Sequence, residues 1–346
     1  MGRARRHAWP RLGAALTLAL AAGTLTACGG GGGGANSLTL YSGQHPQTTR
    51  ALVNAFEKQT GITVQIRNDD EAVLANQIVE EGGGSPADLF YAENSPALQF
   101  LAGKNLLASA AASTLAAVPA RYDSPQGEWV GVSARVSVIV YNTSELRAAQ
   151  LPTSVMDLAQ PQWKGKLGLA PGETDFQPIV TSIALAHGQA AALAWLKSVK
   201  ANAEGRVYPN NEALTAAVNK GQAAISVINH YYWYRQRAEV GAGAMHSAVA
   251  FFAAGDPGYL LDVSGAAVLR SSRHQAAAQK FLAFLVGRTG QEIIAQSQSY
   301  EYPLAAGVQT AQSIPGFSGL QAAALSIAEL GDGALALKLL QEAQLL

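Results

Sequence analysis

Leu38-Thr39-Leu40-Tyr41, Ile62-Thr63-Val64-Gln65-Ile66 and Asp88-Leu89-Phe90-Tyr91 are three short runs of strand-forming residues. What lies between them decides the fold. From Thr48 to Thr60, Leu52, Val53 and Phe56 recur at helical spacing, and Gly61 supplies a stop signal. From Asp70 to Glu81, Leu74 and Ile78 share one face, and Gly82 to Gly84 ends the segment. Strand, helix, strand, helix, strand is the order of a parallel α/β sheet. Asn68-Asp69-Asp70-Glu71, at the head of the second helix, reads as helix capping.

Outward from that block, Trp129 to Tyr141 is a long, nearly continuous β-branched run that can pass from one lobe into another. The alternation then resumes. Strands are expected at Lys166 to Ala170, Ala223 to Ile228, Ala248 to Phe252 and Gly265 to Leu269. Helices are expected at Phe176 to His187, Ala190 to Lys200, Glu212 to Asn219, His274 to Val286 and Thr289 to Gln296, and through the Leu- and Ala-rich tail from Gly319 onward.

The first 28 residues read as an export signal. Arg3, Arg5, Arg6 and Arg11 form a basic region, and Leu12 to Thr24 is a short apolar stretch. Leu25-Thr26-Ala27-Cys28 looks like a bacterial lipobox. Cys28, the only cysteine, would become the lipidated N-terminus and cannot form an internal disulfide. Gly29 to Gly34 formally contains a GxGxxG, but no strand precedes it, so a flexible tether over residues 29–36 is the better account. Without the four leader arginines, 20 basic residues face 24 acidic ones. No basic stripe argues for nucleic acid.

The chemistry gathers at strand ends. His45 follows the first strand and Glu93 the third. In a sheet ordered 2-1-3 those two strands are neighbours, and their loops diverge at a switch point where ligands bind. Asn229-His230-Tyr231-Tyr232-Trp233-Tyr234 follows the Ala223 to Ile228 strand in a chain with 7% aromatics. Tyr231 and Tyr232 can face the same rim from the second lobe. One imidazole, one carboxylate and two phenolates leave room for one or two further ligands. Their three negative charges neutralise Fe(III), whereas zinc, copper and calcium sites favour other donors. Taken singly, each residue also has an ordinary reading: a loop histidine, a solvated or capping glutamate, a pair of interface aromatics. His230 is expected to point away from the tyrosines, and His187, His246 and His274 to lie on the surface without partners.

The chain resembles the periplasmic ferric-ion-binding proteins of ABC importers. The resemblance is carried by Tyr41-Ser42-Gly43-Gln44-His45, Ser85 to Glu93, Trp163-Lys164-Gly165-Lys166, Asn229 to Tyr234, Ser264 to Leu269 and Glu301-Tyr302-Pro303-Leu304. It implies iron ligands at His45, Glu93, Tyr231 and Tyr232. Asn211 and Asn229 match positions that contact a bound anion, carbonate or phosphate, and Asn94 matches a position where Gln can stand. One turn departs from the family. Where Ser, Thr, Asn or Gly is usual, this chain has Pro171-Gly172-Glu173-Thr174-Asp175-Phe176-Gln177. A helix N-terminus attracts anions, and Glu173 and Asp175 would oppose one there. Either Thr174 or Asp175 merely caps the helix, or Glu173 or Asp175 replaces the anion.

The expectation is thus an α/β chain with the two-lobed periplasmic-binding-protein fold, type II-like, with a hinge and an interlobe cleft. Residues 37–137 and 263–312 would form one lobe, 138–262 and 313–346 the other. As a monomer, non-enzymatic and lipid-anchored or periplasmic, it would pass Fe(III) to an ABC permease. Two rivals stand beside this. One is the same fold binding a polyamine, thiamine, sulfate or phosphonate, with Trp233 helping to box an organic cation. The other is a metal-dependent hydrolase using Glu93 or Asp175 as general base.

Overall fold

The computed structural model describes residues 37–310 and 314–346. The Cys28 lipobox and the glycine tether lie outside the described residues. The chain begins with β1 (Ser37–Ser42), α1 (Pro46–Thr60), β2 (Thr63–Asn68), α2 (Glu71–Glu81), β3 (Leu89–Ala92) and α3 (Ser95–Gly103). A short α4 (Ala112–Leu115) leads to the 13-residue β4 (Val130–Asn142). Then come α5 (Phe176–His187), α6 (Gln189–Ala203), α7 (Asn211–Asn219), β5 (Ile225–Asn229), α8 (His230–Val240) and β6 (Ser247–Ala250). The chain finishes with β7 (Leu261–Val268), α9 (Gln275–Val286), α10 (Arg288–Gln296), β8 (Tyr302–Pro303) and α11 (Ala334–Glu342).

The strands are ordered β2-β1-β3-β7-β4-β5, with β6 and β8 also paired to β4. β1 runs parallel to β2 and β3, which is the expected 2-1-3 block. β7 then enters antiparallel between β3 and β4. β4 changes partner along its length: Val130 to Val136 pair with β7, and Ser137 to Tyr141 with β5. Every residue of β4 is buried, as its continuous apolar pattern requires. The core is layered on both faces of the sheet. Leu52 and Phe56 of α1, Leu74 and Ile78 of α2 and Phe281 of α9 are among its fully buried side chains.

Local signals explain most boundaries. Gly61 adopts φ 69° after α1, the left-handed geometry expected of a helix stop. Asp70 caps α2 by accepting from the backbone N–H groups of Ala72 and Val73. Three segments differ from the sequence pattern. Leu167 and Leu169 make only single bridges, to Ile225 and Val207, because the two leucines meet different neighbours and no ladder forms. β7 starts earlier than expected, at Leu261, because β4 offers it a partner as far as Val136. The tail is one short turn (Ile327–Leu330) followed by α11, since Gly331 and Gly333, at φ 63° and 81°, interrupt the helical run.

One close approach ties β1 to α2. A Cβ added at Gly43 would lie 2.5 Å from Glu71 Cβ and 2.8 Å from its Cα. Only glycine lets the loop that carries His45 rest on the start of α2. Gly43→Ala should destabilise the protein by about 1–3 kcal/mol, read as a lower urea midpoint. An unchanged midpoint would show that this loop packs elsewhere.

Candidate metal centre

His45 precedes the first turn of α1, where Pro46 needs no N–H partner, and its side chain makes no capping bond. Its position is fixed from behind. Gln44 Oε1 accepts from the His45 backbone N–H at 2.7 Å, and Gln44 Nε2 donates to the Glu301 carboxylate. The imidazole is therefore free to face the cleft. Its Nε2 is buried, has no hydrogen-bond partner and lies 3.7 Å from Glu93 Oε1. Burial lowers the imidazole pKa to about 4, so the ring is neutral at pH 7 and the contact is not an ion pair.

Glu93 leaves the end of β3. Tyr231 and Tyr232 occupy the first turn of α8, directly after β5, rather than the strand end itself. That turn is also where a helix favours negative charge. Both rings are buried, with centroids 4.3 Å apart. Tyr231 Oη donates toward Glu93 Oε1 at 2.5 Å, and its ring meets that of His45 edge-on at 5.0 Å. The four predicted ligands are thus brought together.

Asp175, 6% exposed, sits at the centre of the cluster. Its Oδ2 lies 2.9 Å from Tyr231 Oη and 2.8 Å from Tyr232 Oη. Its Oδ1 accepts from Asn94 Nδ2 at 2.9 Å, and Asn211 Nδ2 approaches Oδ2 at 3.4 Å. Its side chain makes no capping bond to α5, so Asp175 does not serve as a side-chain cap. Thr174 Oγ1 also accepts from Asn94, at 3.3 Å, and Glu173 accepts from the Asn211 backbone and, of the two phenols, reaches only Tyr232, at 3.5 Å. Asn229 lines a small cavity with Asp175 and Asn211.

Three residues escaped the sequence reading. Arg135, fully buried in β4, donates to Glu301 and, at 3.0 Å, to Asn94 Oδ1; its guanidinium lies 5.7 Å from the Tyr231 ring centre. A lone charge inside the apolar β4 run was the available signal. Glu71, taken as part of a cap, is buried and accepts from the backbone and side-chain N–H groups of Asn94. Glu301 gathers Gln44, Ser133 and Arg135 beneath the site. His274 also differs from expectation, pairing with Asp88 at 3.1 Å. His230 behaves as expected: Val136 N–H donates to its Nδ1 and its Nε2 meets Tyr300 O, so it is held by backbone rather than by the phenol cluster. Trp233 turns its Nε1–H to Ser247 on β6, which removes it from any aromatic box around the phenols.

The electrostatics describe a site loaded with protons. Burial, and then the charge of Asp175, raises Glu93 well above the carboxylate range and both phenols well above 10. Burial lifts Glu71 to about 7, and burial with the Asp175 charge lifts Glu173 to about 8. Among the described residues no three His, Cys, Asp or Glu side chains form a metal-holding group. The phenol oxygens of Tyr231 and Tyr232 are the further donors that the cluster offers.

The comparisons with known proteins agree with this chemistry. Residues 84–315 match the bacterial extracellular solute-binding protein family, and the chain belongs to it. Its members bind and deliver solutes rather than transform them. Among its relatives, the Fe(3+)-binding periplasmic protein of Serratia marcescens is 38% identical over 314 residues, 90% of this chain and 92% of that protein. The major ferric iron-binding protein of Neisseria meningitidis is 37% identical over 311 residues, covering 88% and 92%. The crystal structure of iron-bound HitA from Pseudomonas aeruginosa superposes with a TM-score of 0.84 at 40% identity, covering 89% of this chain and 99% of that one. The fold is thus the two-lobed periplasmic-binding-protein architecture, as its sheet arrangement implied.

Two outcomes follow from the buried charges. Arg135→Met leaves Glu301 buried without its cation, which should cost about 3–5 kcal/mol of unfolding free energy; a loss under about 1 kcal/mol would show that the pair is not what holds this region. The second concerns pH. Glu71 and Asp123 titrate near 7 and Glu173 near 8, each raised by burial. Above the ordinary carboxylate range the unfolded chain has released protons that these groups still hold, so stability falls as pH rises through 7 and 8. The lowered imidazoles of His45 and His230 act oppositely, but only between about 4 and 6.5. Urea midpoints of iron-free protein should therefore fall from pH 6.5 to 8.5; a rise would contradict the assignment.

Proposed function

We propose that this chain is the solute-binding component of an ABC importer, holding Fe(III) in the interlobe cleft and delivering it to a membrane permease. The observation that carries the reading is the meeting of His45 Nε2, Glu93 and the two phenols of Tyr231 and Tyr232 in one buried cluster. The donors are hard oxygens with one imidazole, which suits a small trivalent ion. The Serratia and Neisseria relatives are named for binding ferric iron, and the Pseudomonas HitA structure is iron-bound.

The donors come from different parts of the fold, which supports binding by lobe closure. His45 and Glu93 stand on the β1–β3 block, the tyrosines on the α8 turn. The partner change of β4 at Val136 and Ser137 supports a lobe boundary there, with residues 37–137 and 263–312 in one lobe. The packing of α11 on α5 and α6 supports placing the tail with residues 138–262. Closure lets Glu93 meet Tyr231 and Asn94 meet Asp175 across that boundary. An ion that replaces the phenol protons would strengthen the closed form, because only that form brings all the donors to one point. A lipid on Cys28, followed by the glycine tether, would keep the protein at the outer face of the cytoplasmic membrane, beside its permease.

Fe(III) titration of the purified protein should develop a phenolate-to-iron charge-transfer colour and release at least two protons per ion, one from each phenol. Tyr231→Phe and Tyr232→Phe should each bleach it, and His45→Ala and Glu93→Gln should weaken retention. A colourless protein that binds an organic cation tightly instead would sink the iron assignment.

A further inference from the structure

We propose that the turn Ile327–Leu330 is an apolar clasp: it travels with the lobe that carries the tyrosines and docks on α3 of the other lobe, strengthening the closed form from outside the metal centre. This rests on the Fe(III) carrier reading and its lobe boundary, and adds a device that sets how firmly the ion is kept. The tail is fastened on one side first. Ala323 N–H donates to Tyr259 O at 2.8 Å, Gly255 N–H donates to Gln321 O at 3.0 Å, and α11 packs on α5 and α6. The turn is then braced from within. Ser326 donates to Glu329 Oε2 through its backbone N–H at 2.8 Å and through its hydroxyl at 2.6 Å, the exchange of a capping box.

The braced turn presents two anchors. Ile327 and Leu330 are each 2% exposed, while Ala328 and Glu329 between them face solvent. The turn packs on α5 of its own lobe and on α3 of the other. Those two helices stand directly behind the cluster. Asn94 immediately precedes α3, Asp175 immediately precedes α5, and a 2.9 Å bond joins the pair across the boundary. Gly333 marks the same seam: a Cβ there would lie 3.1 Å from Gln177 Oε1 of α5 and 3.5 Å from Pro96 Cβ of α3. The seam is in contact but not fused. A cavity of about 160 Å³ remains between Ala97 and Phe100 on one side and Gln177, Asp332 and Leu337 on the other. Packed cores leave few such voids; surfaces that part and rejoin tolerate one. Apolar burial here needs no charge and no ion. Opening the lobes draws α3 off the anchors, so the cost falls on the open form alone. As α3 covers them again, it seats Asn94 against Asp175.

The test follows the charge-transfer band of iron-loaded protein as citrate is raised, with urea midpoints of the iron-free protein measured alongside. Leu330→Ala should keep the band at its wild-type position, because no iron donor is touched, and should lose roughly 10-fold in retention. Leu330→Met, which conserves the volume, should return retention close to the wild-type value. A role confined to the stability of one lobe would lower the urea midpoint and leave retention unchanged, and that result would overturn the proposal. Should Leu330→Ala not fold, judged by circular dichroism, Ile327→Val takes its place with about a 3-fold loss expected; wild-type retention in that variant would overturn the proposal equally. A wild type that develops no band in any titration would instead contradict the Fe(III) reading, and the clasp, as a device for keeping iron, falls with it.

Discussion

Two phenol protons, each held by a carboxylate brought from elsewhere in the chain, define this molecule's centre. Tyr231 donates toward Glu93 and shares Asp175 with Tyr232. Phenols in such company do not ionise unaided, since burial and neighbouring negative charge both oppose it. The same surroundings that hold the protons in place would favour a multivalent cation replacing them. The site is therefore costly when empty and well matched when filled, which is the property a carrier for a highly charged ion needs.

The fold exists to bring those groups to one point. β1 and β3 are adjacent in the sheet, so their following loops place His45 and Glu93 side by side. β4 carries the chain from the β7 pairing to the β5 pairing, and β5 ends where α8 begins with the tyrosines. Arg135 sits in that same strand, beside the partner change, and its bonds to Glu301 and Asn94 link the support beneath His45 to the support behind Asp175. Positive charge at this one buried position offsets part of the acidity without entering the ligand set.

Much of this was legible in the sequence, for reasons that differ by residue. The strand and helix periods of residues 38–91 indicated a parallel α/β block, and in a 2-1-3 order, which the sheet has, His45 falls beside Glu93. The tyrosine pair was visible as an aromatic cluster after an apolar strand. Asp175 was visible as an acid in an anion-attracting turn, but its double contact with the phenols depends on how α5 and α8 approach each other, which no local pattern encodes. Glu71 was hidden inside a true capping sequence: Asp70 does cap α2, and its neighbour turns inward to Asn94. The tail was misjudged because Leu and Ala content suggests helix, while two left-handed glycines break it. The Leu167–Leu169 segment misled in the opposite direction, having strand character without a continuous partner.

The proposed function requires a ferric ion to replace the phenol protons within this cluster. A crystal structure of the iron-loaded protein tests it most directly. The expected result is one ion contacted by His45 Nε2, a Glu93 oxygen and both phenol oxygens. An ion bound away from Tyr231 and Tyr232, or a cleft occupied by an organic solute with both phenols still protonated, would contradict it.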